Sequence, residues 1–153
     1  MPRAPAPSLK ARAVAYLSRR EHARAELARK LAPHVQPGDD LDAVLDALQR
    51  EGWLSESRYV QSVVHRRAGG HGAARIVQEL RRQGVAADRL HEVRDQLRGS
   101  ELDRARDTWL KRYGEPPATP ADYARQARFL AARGFSHDTI RRVLGEGGAD
   151  AGD

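Results

Sequence analysis

The sequence predicts an all-α protein, an elongated and curved array of three tandem three-helix repeats. Composition supports this class, because alanine, leucine and arginine dominate and favour helices, whereas aromatic residues make up only 5% of the chain. Periodicity supports it too, because apolar residues recur at helical spacing and no sustained alternation indicates a strand. A helix–turn–helix pattern also occurs twice in the chain, which is typical of repeat proteins.

Nine short helices are predicted, and their lengths require them to pack on each other. Isolated helices of this size are marginal in water. The 153 residues suffice for one ordinary domain, or for a few small units around a continuous core. With 40% hydrophobic and 31% charged residues, each helix can bury a narrow apolar stripe, so disorder is not expected for most of the chain.

The first repeat is predicted over residues 8–54, after a flexible tail at residues 1–7. Its first two helices cover residues 8–18 and 23–31. A third, the clearest amphipathic helix of the chain, ends at Gly52 and is offered an N-cap by the neighbouring aspartates that precede it. The residues carrying these predictions are Leu9, Val14, Tyr16, Leu17, Leu27, Leu31, Asp39, Asp40, Leu41, Val44, Leu45 and Leu48.

The second repeat is predicted over residues 55–99. Ser55 is the expected cap of its first helix, which ends at a glycine-rich turn over residues 69–72. The next two helices end at Gly84 and Gly99. Their apolar stripes consist of Tyr59, Val60, Val63 and Val64, then Ile76, Val77 and Leu80, then Leu90, Val93 and Leu97.

The third repeat is predicted over residues 100–145, and residues 146–153 are expected to form a flexible tail. Helix starts are expected at Ser100, at Thr119-Pro120 and at Ser136, because serine and threonine cap helices and proline suits the first turn. One side of the seventh helix is expected to carry Leu102, Trp109, Leu110 and Tyr113. For its two aromatic residues, core packing is favoured over base stacking.

A repeated segment defines the array. Residues 80–90 align with residues 130–140, and both read leucine, three residues, glycine, an apolar residue, two residues, aspartate, one residue and an aliphatic residue. This pattern describes a helix end, a glycine C-cap, an apolar plug and the start of a new helix. A looser counterpart joins Leu27 and Leu31 to the helix at Leu41.

Most catalytic and cofactor sites are not expected in this chain. The chain has no cysteine, its six histidines form no metal-binding motif, and no nucleophile elbow is visible. The turn Gly69-Gly70-His71-Gly72 lacks the Lys-Ser/Thr of a phosphate-binding loop and is interpreted as a flexible turn. The acidic residues Asp39, Asp40 and Asp42 are interpreted as helix-capping rather than calcium-binding. We therefore predict a non-enzymatic protein without cofactors.

The cellular location is predicted from what the sequence lacks. No apolar run approaches the roughly 18 residues that span a bilayer. The start Met1-Pro2-Arg3-Ala4-Pro5-Ala6-Pro7 also has no hydrophobic signal core. We expect a cytoplasmic protein that does not bind membranes.

The charge balance favours phosphate-rich or acidic partners. Lysine and arginine number 27 against 21 acidic residues, a formal charge of +6. The densest basic cluster, with little neutralising acid, comprises Arg66, Arg67, His71, Arg75 and Arg82, of which Arg75 and Arg82 face away from the apolar stripe of their helix. The first repeat adds Arg19, Arg20, Arg24, Arg29 and Lys30. The alternative is an arginine-rich composition in which these residues form only a solvated face.

Three segments resemble the RecX family. The first, residues 16–31, has a basic-Glu-His corner followed by Arg-x-Glu-Leu and a basic-Leu pair. In the second, residues 48–60, a Gly-aromatic-Leu turn precedes an Arg-aromatic helix start. The third is residues 72–85. The third repeat resembles the family more weakly. With it included, the resemblance covers about residues 9–144. Ala23 departs from the pattern, because many relatives have a serine there that caps the next helix at about 1 kcal/mol.

The resemblance implies a regulator of the RecA recombinase. It implies a protein that lies along the RecA filament, slows its ATP hydrolysis and strand exchange, and can promote filament disassembly. Its expected processes are homologous recombination, DNA repair and the SOS response, and we expect a monomer. The basic residues named above are then the expected contacts with RecA or with its single- or double-stranded DNA. The alternative function is direct DNA binding by a helical-repeat protein, since three-helix units also present recognition helices.

Overall fold

The computed structural model describes residues 3–145, and this part of the chain is all-α. Its helices pack mainly on their neighbours along the chain, and no strand is present among the described residues. They are α1 (Leu9–Arg19), α2 (Arg24–Leu31), α3 (Leu41–Arg50), α4 (Glu56–Arg67), α5 (Ala73–Arg82), α6 (Ala87–Arg98), α7 (Glu101–Arg112), α8 (Pro120–Ala132) and α9 (His137–Leu144).

Regions outside these helices are short. A 3₁₀ turn at Ala32–His34, which the sequence did not predict, follows α2 directly. Residues 3–7 have no regular secondary structure and are exposed. The tail predicted at residues 146–153 lies outside the described residues. Within residues 3–145, no helix is both long and apolar enough to cross a membrane.

Side-chain caps confirm most of the predicted helix starts. A backbone N–H three residues into each helix donates to the capping oxygen at 3.1 to 3.2 Å, and the caps are Ser8, Asp40, Ser55, Thr119 and Ser136. Ser100 differs, because its Oγ donates to the carbonyl of Leu97 and accepts from Nε of Arg104 instead. The end of α6 and the start of α7 are thereby joined through one hydroxyl.

Ala23 has no side chain that can cap α2, and a carboxylate replaces the missing hydroxyl. The backbone N–H of Ala23 donates to Oε1 of Glu26 at 3.3 Å. Arg20 holds this carboxylate in place through Nη2 at 2.6 Å. Burial acts to raise the pKa of Glu26, but the hydrogen bond and charge of Arg20 outweigh it and hold that pKa below its ordinary value. Glu26 therefore stays ionised and caps the helix.

By packing, the chain divides into two compact units. The first contains the residues up to Ser62 together with Gln83–Val85, and the second contains Val63–Arg82 and the chain from Ala86 onward. The boundary at Ser62 falls within α4. The boundaries predicted between repeats, at residues 54/55 and 99/100, stay predictions.

The core of the first unit is formed by α1, α2 and α3, as their apolar stripes predict. Leu27, Leu31 and Leu48 are fully buried. They pack with Leu9, Ala13, Leu45 and Leu54, each at most 5% exposed. Burial of a leucine side chain contributes about 1.5–3 kcal/mol, so this cluster is a main favourable contribution to the packing of the three helices.

In the second unit, α5 packs on α6 and α7 packs on α8 and α9. The predicted stripes of α5 and α6 are buried as expected. The prediction of the apolar stripe of α7 was partly wrong. Leu110 is 56% exposed, whereas Ala105 and Thr108 face the core. Trp109 packs against that core, and its indole Nε1 donates to Oε1 of buried Gln126 at 2.8 Å. This contact confirms core packing for Trp109.

The repeated segment has the predicted conformation at both positions. Gly84 and Gly134 have φ of +82° and +90°, in the left-handed region that favours glycine. The residues that follow them, Val85 and Phe135, are buried. The sequence alignment of residues 80–90 with residues 130–140 therefore reflects one helix–turn–helix geometry used twice.

The glycine-rich turn before α5 is closely packed rather than simply flexible. The N–H of Gly72 donates to the carbonyl of Arg133 at 2.8 Å. A methyl group on Gly72 would overlap the carbonyl of Gly134. Gly69, by contrast, has open space around its Cα. The turn therefore joins the start of α5 to the loop after α8.

Candidate partner-binding site

The ten predicted binding residues fall into two groups that lie in different units. The first-unit group is Arg19, Arg20, Arg24, Arg29 and Lys30. The second-unit group is Arg66, Arg67, His71, Arg75 and Arg82.

Two arginines of the first-unit group are neutralised within their own unit. Arg20 pairs with Glu26 as described above. Arg24 Nη1 lies 2.7 Å from Oδ1 of Asp46 and 2.7 Å from Oε1 of Gln49, and it thereby ties α2 to α3. The more exposed pair, Arg24 with Asp46, contributes only about 0–1 kcal/mol, but both ion pairs reduce the positive charge that a partner meets.

Lys30 and Arg29 have neutral partners instead. Nζ of Lys30 donates to Nε2 of His22 at 2.9 Å and lies 5.1 Å from the centroid of the Tyr16 ring. Nη2 of Arg29 donates to Oε1 of Gln83 at 2.8 Å. Neither contact brings a negative charge to these two residues.

His22 is buried and neutral, with both ring nitrogens occupied. Lysine is only a donor, so Nε2 accepts from Lys30, and Nδ1–H donates to the carbonyl of Arg20 at 3.0 Å. Burial lowers the pKa of His22, and the charges of Arg20 and Lys30 lower it further. This histidine supports the corner before α2 rather than contacting a partner.

In the second-unit group, Arg66 and Arg67 share one carboxylate. Their guanidinium nitrogens lie 3.4 Å and 3.0 Å from the oxygens of Glu79. The prediction of little neutralising acid is therefore wrong for these two residues. The last turn of α4 lies beside Glu79 of α5, and this proximity between two helices is not visible in a pattern taken helix by helix.

Arg75 and Arg82 are exposed, as predicted, but they differ in their contacts. Nη1 of Arg75 donates to the carbonyl of Ala132 at 2.9 Å, and its Cβ lies against Gly134. Arg75 therefore also caps the end of α8. Arg82 has no carboxylate partner in the described part of the chain, and neither has Arg19 of the other group.

His71 lies in a strongly positive environment. Its Nδ1–H donates to the carbonyl of Arg67 at 3.3 Å. Burial lowers the pKa of His71, and the charges of Arg133, Arg67 and Arg75 add to the effect. The three arginines therefore place a positive potential at His71.

Arg104 of α7 contributes to the same turn and was not predicted from the sequence. Its guanidinium donates to the carbonyls of Ala68 at 3.1 Å, His71 at 2.6 Å and Leu97 at 3.3 Å. Partial burial lowers the pKa of Arg104. Arg104 thus brings a desolvated positive charge beneath the glycine-rich turn.

Three further cations were missed by the sequence analysis. Lys111, Arg112 and Arg133 line a pocket of about 320 Å³ in the second unit, together with Phe129 and the backbone of the glycine-rich turn. The Lys111-Arg112 pair was the only sequence signal. Residues 3–145 contain no group of three or more His, Asp or Glu side chains positioned to hold a metal ion.

Comparison with known proteins identifies the family. The chain is 53% identical over 151 residues to the regulatory protein RecX of Ralstonia nicotianae, covering 99% of this chain and 93% of that protein. It is 58% identical over 137 residues to the regulatory protein RecX of Leptothrix cholodnii, covering 90% and 87%. The chain belongs to the RecX family. The resemblance found in its sequence motifs is thereby confirmed.

Domain and structural matches support the same assignment. Sequence models described as the second and third three-helix domains of RecX match residues 55–92 and 100–144. The crystal structure of RecX from Lactobacillus salivarius superposes with a TM-score of 0.68 at 20% identity, covering 89% of this chain and 92% of that one. Another RecX crystal structure gives a TM-score of 0.71 at 20% identity, covering 89% and 72%. The all-α fold of three-helix domains is therefore that of RecX.

Proposed function

We propose that this RecX chain binds the RecA nucleoprotein filament and modulates its ATPase and strand-exchange activities in recombination and DNA repair. One observation carries the proposal: the chain matches regulatory proteins of the RecX family over almost its whole length. RecA is the partner that the family resemblance implies. The proposal takes the protein to be a cytoplasmic monomer that acts by binding, without a cofactor and without catalysis.

The basic residues are the proposed contacts with the filament. All ten predicted residues remain candidates. The more available ones are those whose charge is not already neutralised by a neighbouring carboxylate. Arg19 and Arg82 are exposed and lack a carboxylate partner within residues 3–145, so their charge is available to phosphates or to RecA carboxylates. Arg20, Arg24, Arg66 and Arg67 must exchange an existing ion pair, which lowers the net gain of binding.

Direct DNA binding is the second candidate function. The convergence of Lys111, Arg112 and Arg133 on one pocket favours it, because cations without acidic partners attract phosphates. The two candidates are not equivalent. A filament regulator recognises RecA-coated DNA, whereas a DNA-binding protein recognises the bare strand.

A binding comparison separates them. RecA is assembled on a fluorescently labelled single-stranded oligonucleotide with a non-hydrolysable ATP analogue, and the chain is titrated into the filament and into the bare oligonucleotide at equal salt. We expect a clearly lower Kd for the filament. Equal affinities, or tighter binding to bare DNA, would contradict the RecA proposal and favour the second candidate.

A further inference from the structure

The second unit contains a pocket lined by cations that form no ion pair within residues 3–145. The cations Lys111, Arg112 and Arg133 line it, with Phe129, Gly69 and Gly70 forming other parts of its wall. Within the described residues, none of the three cations pairs with a carboxylate, whereas other arginines of the same unit do; these are Arg66, Arg67, Arg125 and Arg141. A convergence of like charges lowers stability unless an anion joins it.

Two of the guanidinium groups are held in position by an aromatic ring. The guanidinium carbon of Arg133 lies 5.2 Å from the centroid of Phe129, and that of Arg112 lies 6.0 Å from the same centroid. The Phe129 ring in turn packs edge-on against Tyr113. Cation–π contacts of this kind orient an arginine without neutralising it. The Phe129 ring therefore helps to orient both guanidinium groups and leaves their charges free to bind an anion.

The glycine-rich turn leaves room beside these donors. Gly69 has no atoms near the position of an added Cβ, and at Gly70 the nearest atom is Nη1 of Arg133, 3.6 Å away. A bulky group can thus approach the backbone of the turn. The positive field here is increased by Arg104 beneath the turn and is also felt at His71, whose pKa is lowered by burial and by neighbouring arginines.

We propose that this pocket binds phosphate groups of a nucleic-acid strand. Arginine forks match phosphate oxygens in bidentate geometry, and a lysine adds a mobile charge beside them. Because guanidinium groups cover Phe129, its ring is not a stacking platform for bases, so contacts go to the backbone and binding is independent of sequence.

The proposal rests on the second candidate function, direct DNA binding, and deepens it by assigning phosphate contacts to residues outside the ten predicted contacts. An unsubstituted chain that binds no oligonucleotide would contradict that function, whereas undiminished binding by a variant of the pocket would contradict only the pocket assignment. The test uses the full chain and a labelled oligothymidylate, measured by fluorescence anisotropy over a range of salt concentrations. The variant is the Lys111→Gln, Arg133→Gln double mutant. The matched control is Arg94→Gln, Arg142→Gln, which removes two exposed arginines on α6 and α9 that have no acidic partner in residues 3–145.

The pocket variant should bind the oligonucleotide about tenfold or more weakly at low salt. Each lost phosphate contact should also flatten the slope of log affinity against log salt by about 0.7 on a single strand. The control should lose less affinity, and circular dichroism should show that both variants fold. Oligonucleotides of different sequence should give the same loss.

Three outcomes would overturn the proposal. Affinity and salt slope of the pocket variant equal to those of the control would show that the pocket does not hold DNA phosphates. Loss of inorganic phosphate binding, measured by calorimetry, with unchanged oligonucleotide binding would assign the pocket to a small phosphate ligand. Loss of RecA-filament binding with unchanged DNA affinity would assign it to an acidic protein surface.

Discussion

Glu101, the first residue of α7, caps a different helix, because its Oε1 accepts the backbone N–H of Ala73 at the start of α5 at 3.1 Å. Its Oε2 accepts the hydroxyl of Thr139 in α9 at 2.8 Å and that of Ser136 at 3.4 Å. One carboxylate therefore ties the starts of α5 and α9 to α7. A negative charge at a helix start is also favoured by the helix dipole.

Replacement of Glu101 should destabilise the second unit. Loss of a helix cap costs about 0.5–2 kcal/mol, and the hydroxyl groups lose their acceptor as well, so we expect Glu101→Ala to lower the free energy of unfolding by about 1–3 kcal/mol. Urea unfolding monitored by circular dichroism measures this. The control is Asp103→Ala in the same helical turn, where the carboxylate is exposed. Equal stabilities of the two variants would show that the Glu101 contacts contribute nothing.

The glycine-rich turn offers a matched pair of substitutions. A methyl group on Gly72 overlaps the backbone of Gly134, and relieving such overpacking costs about 1–3 kcal/mol. Gly69→Ala meets open space, so its stability should change by less than about 1 kcal/mol and can rise. Thermal unfolding of both variants tests this. A Gly72→Ala protein as stable as Gly69→Ala would mean that the close approach is readily relaxed.

Buried His22 predicts a loss of stability in mild acid. Its pKa is lowered in the folded chain by burial, so the unfolded chain takes up the proton first as pH falls below about 6.5. The stability is therefore present above that pH and is lost below it, by at most about 1.4 kcal/mol per pH unit for one proton. His22→Gln should show a smaller drop in unfolding free energy between pH 7.5 and pH 5.5.

The control for this measurement is His65→Gln, an exposed residue of α4. It should retain the pH dependence of the unsubstituted chain. A His22→Gln protein whose stability falls with pH as steeply as that of the control would show that another group takes up the proton.

The charged surface yields a prediction about Arg82. We expect Arg82→Glu to change stability by less than about 0.5 kcal/mol, as exposed substitutions usually do, and to weaken inhibition of RecA. If Arg82 contacts phosphate, the salt slope should flatten by about 0.7 on a single strand, whereas pairing with RecA carboxylates gives no such fixed change. Arg94→Glu is the control. Unchanged inhibition would show that Arg82 lies on a solvated face only.

Arg75 lies on the same face of α5 as Arg82, but unlike Arg82 it also makes a structural contact. The sequence indicates an exposed arginine whose charge reversal spares folding. Because Arg75 donates to the carbonyl of Ala132, its replacement also removes a hydrogen bond to the end of α8. A reduced activity of Arg75→Glu therefore reports on binding only after its stability has been measured.

Local signals predicted the helices because each helix is specified by its own residues. Thr119 caps α8 through its own hydroxyl with Pro120 in the first turn, and Gly134 adopts the positive φ of the turn that follows α8. The family resemblance also followed from short motifs such as the basic-Glu-His corner at residues 20–22. Helix class, caps and most of the buried stripes were therefore predictable from sequence alone.

Contacts between helices were not predictable in the same way. Glu79 neutralises Arg66 and Arg67 across α4 and α5, and Lys111 meets Arg133 only because α7 and the loop after α8 border one pocket. Leu110 was misplaced because Ala105 and Thr108, small residues with weak hydrophobic signals, occupy the inner face of α7. The charge pattern of single helices therefore overestimates the number of cations that are free to bind a partner.

The central claim, regulation of the RecA filament, is tested most directly by RecA ATP hydrolysis on single-stranded DNA. The chain is titrated into a preformed filament, and its amount is expressed relative to the DNA sites. We predict a marked fall in hydrolysis at amounts far too low to cover the DNA. A rate that is unaffected, or that falls only when the chain saturates the DNA, would contradict the account.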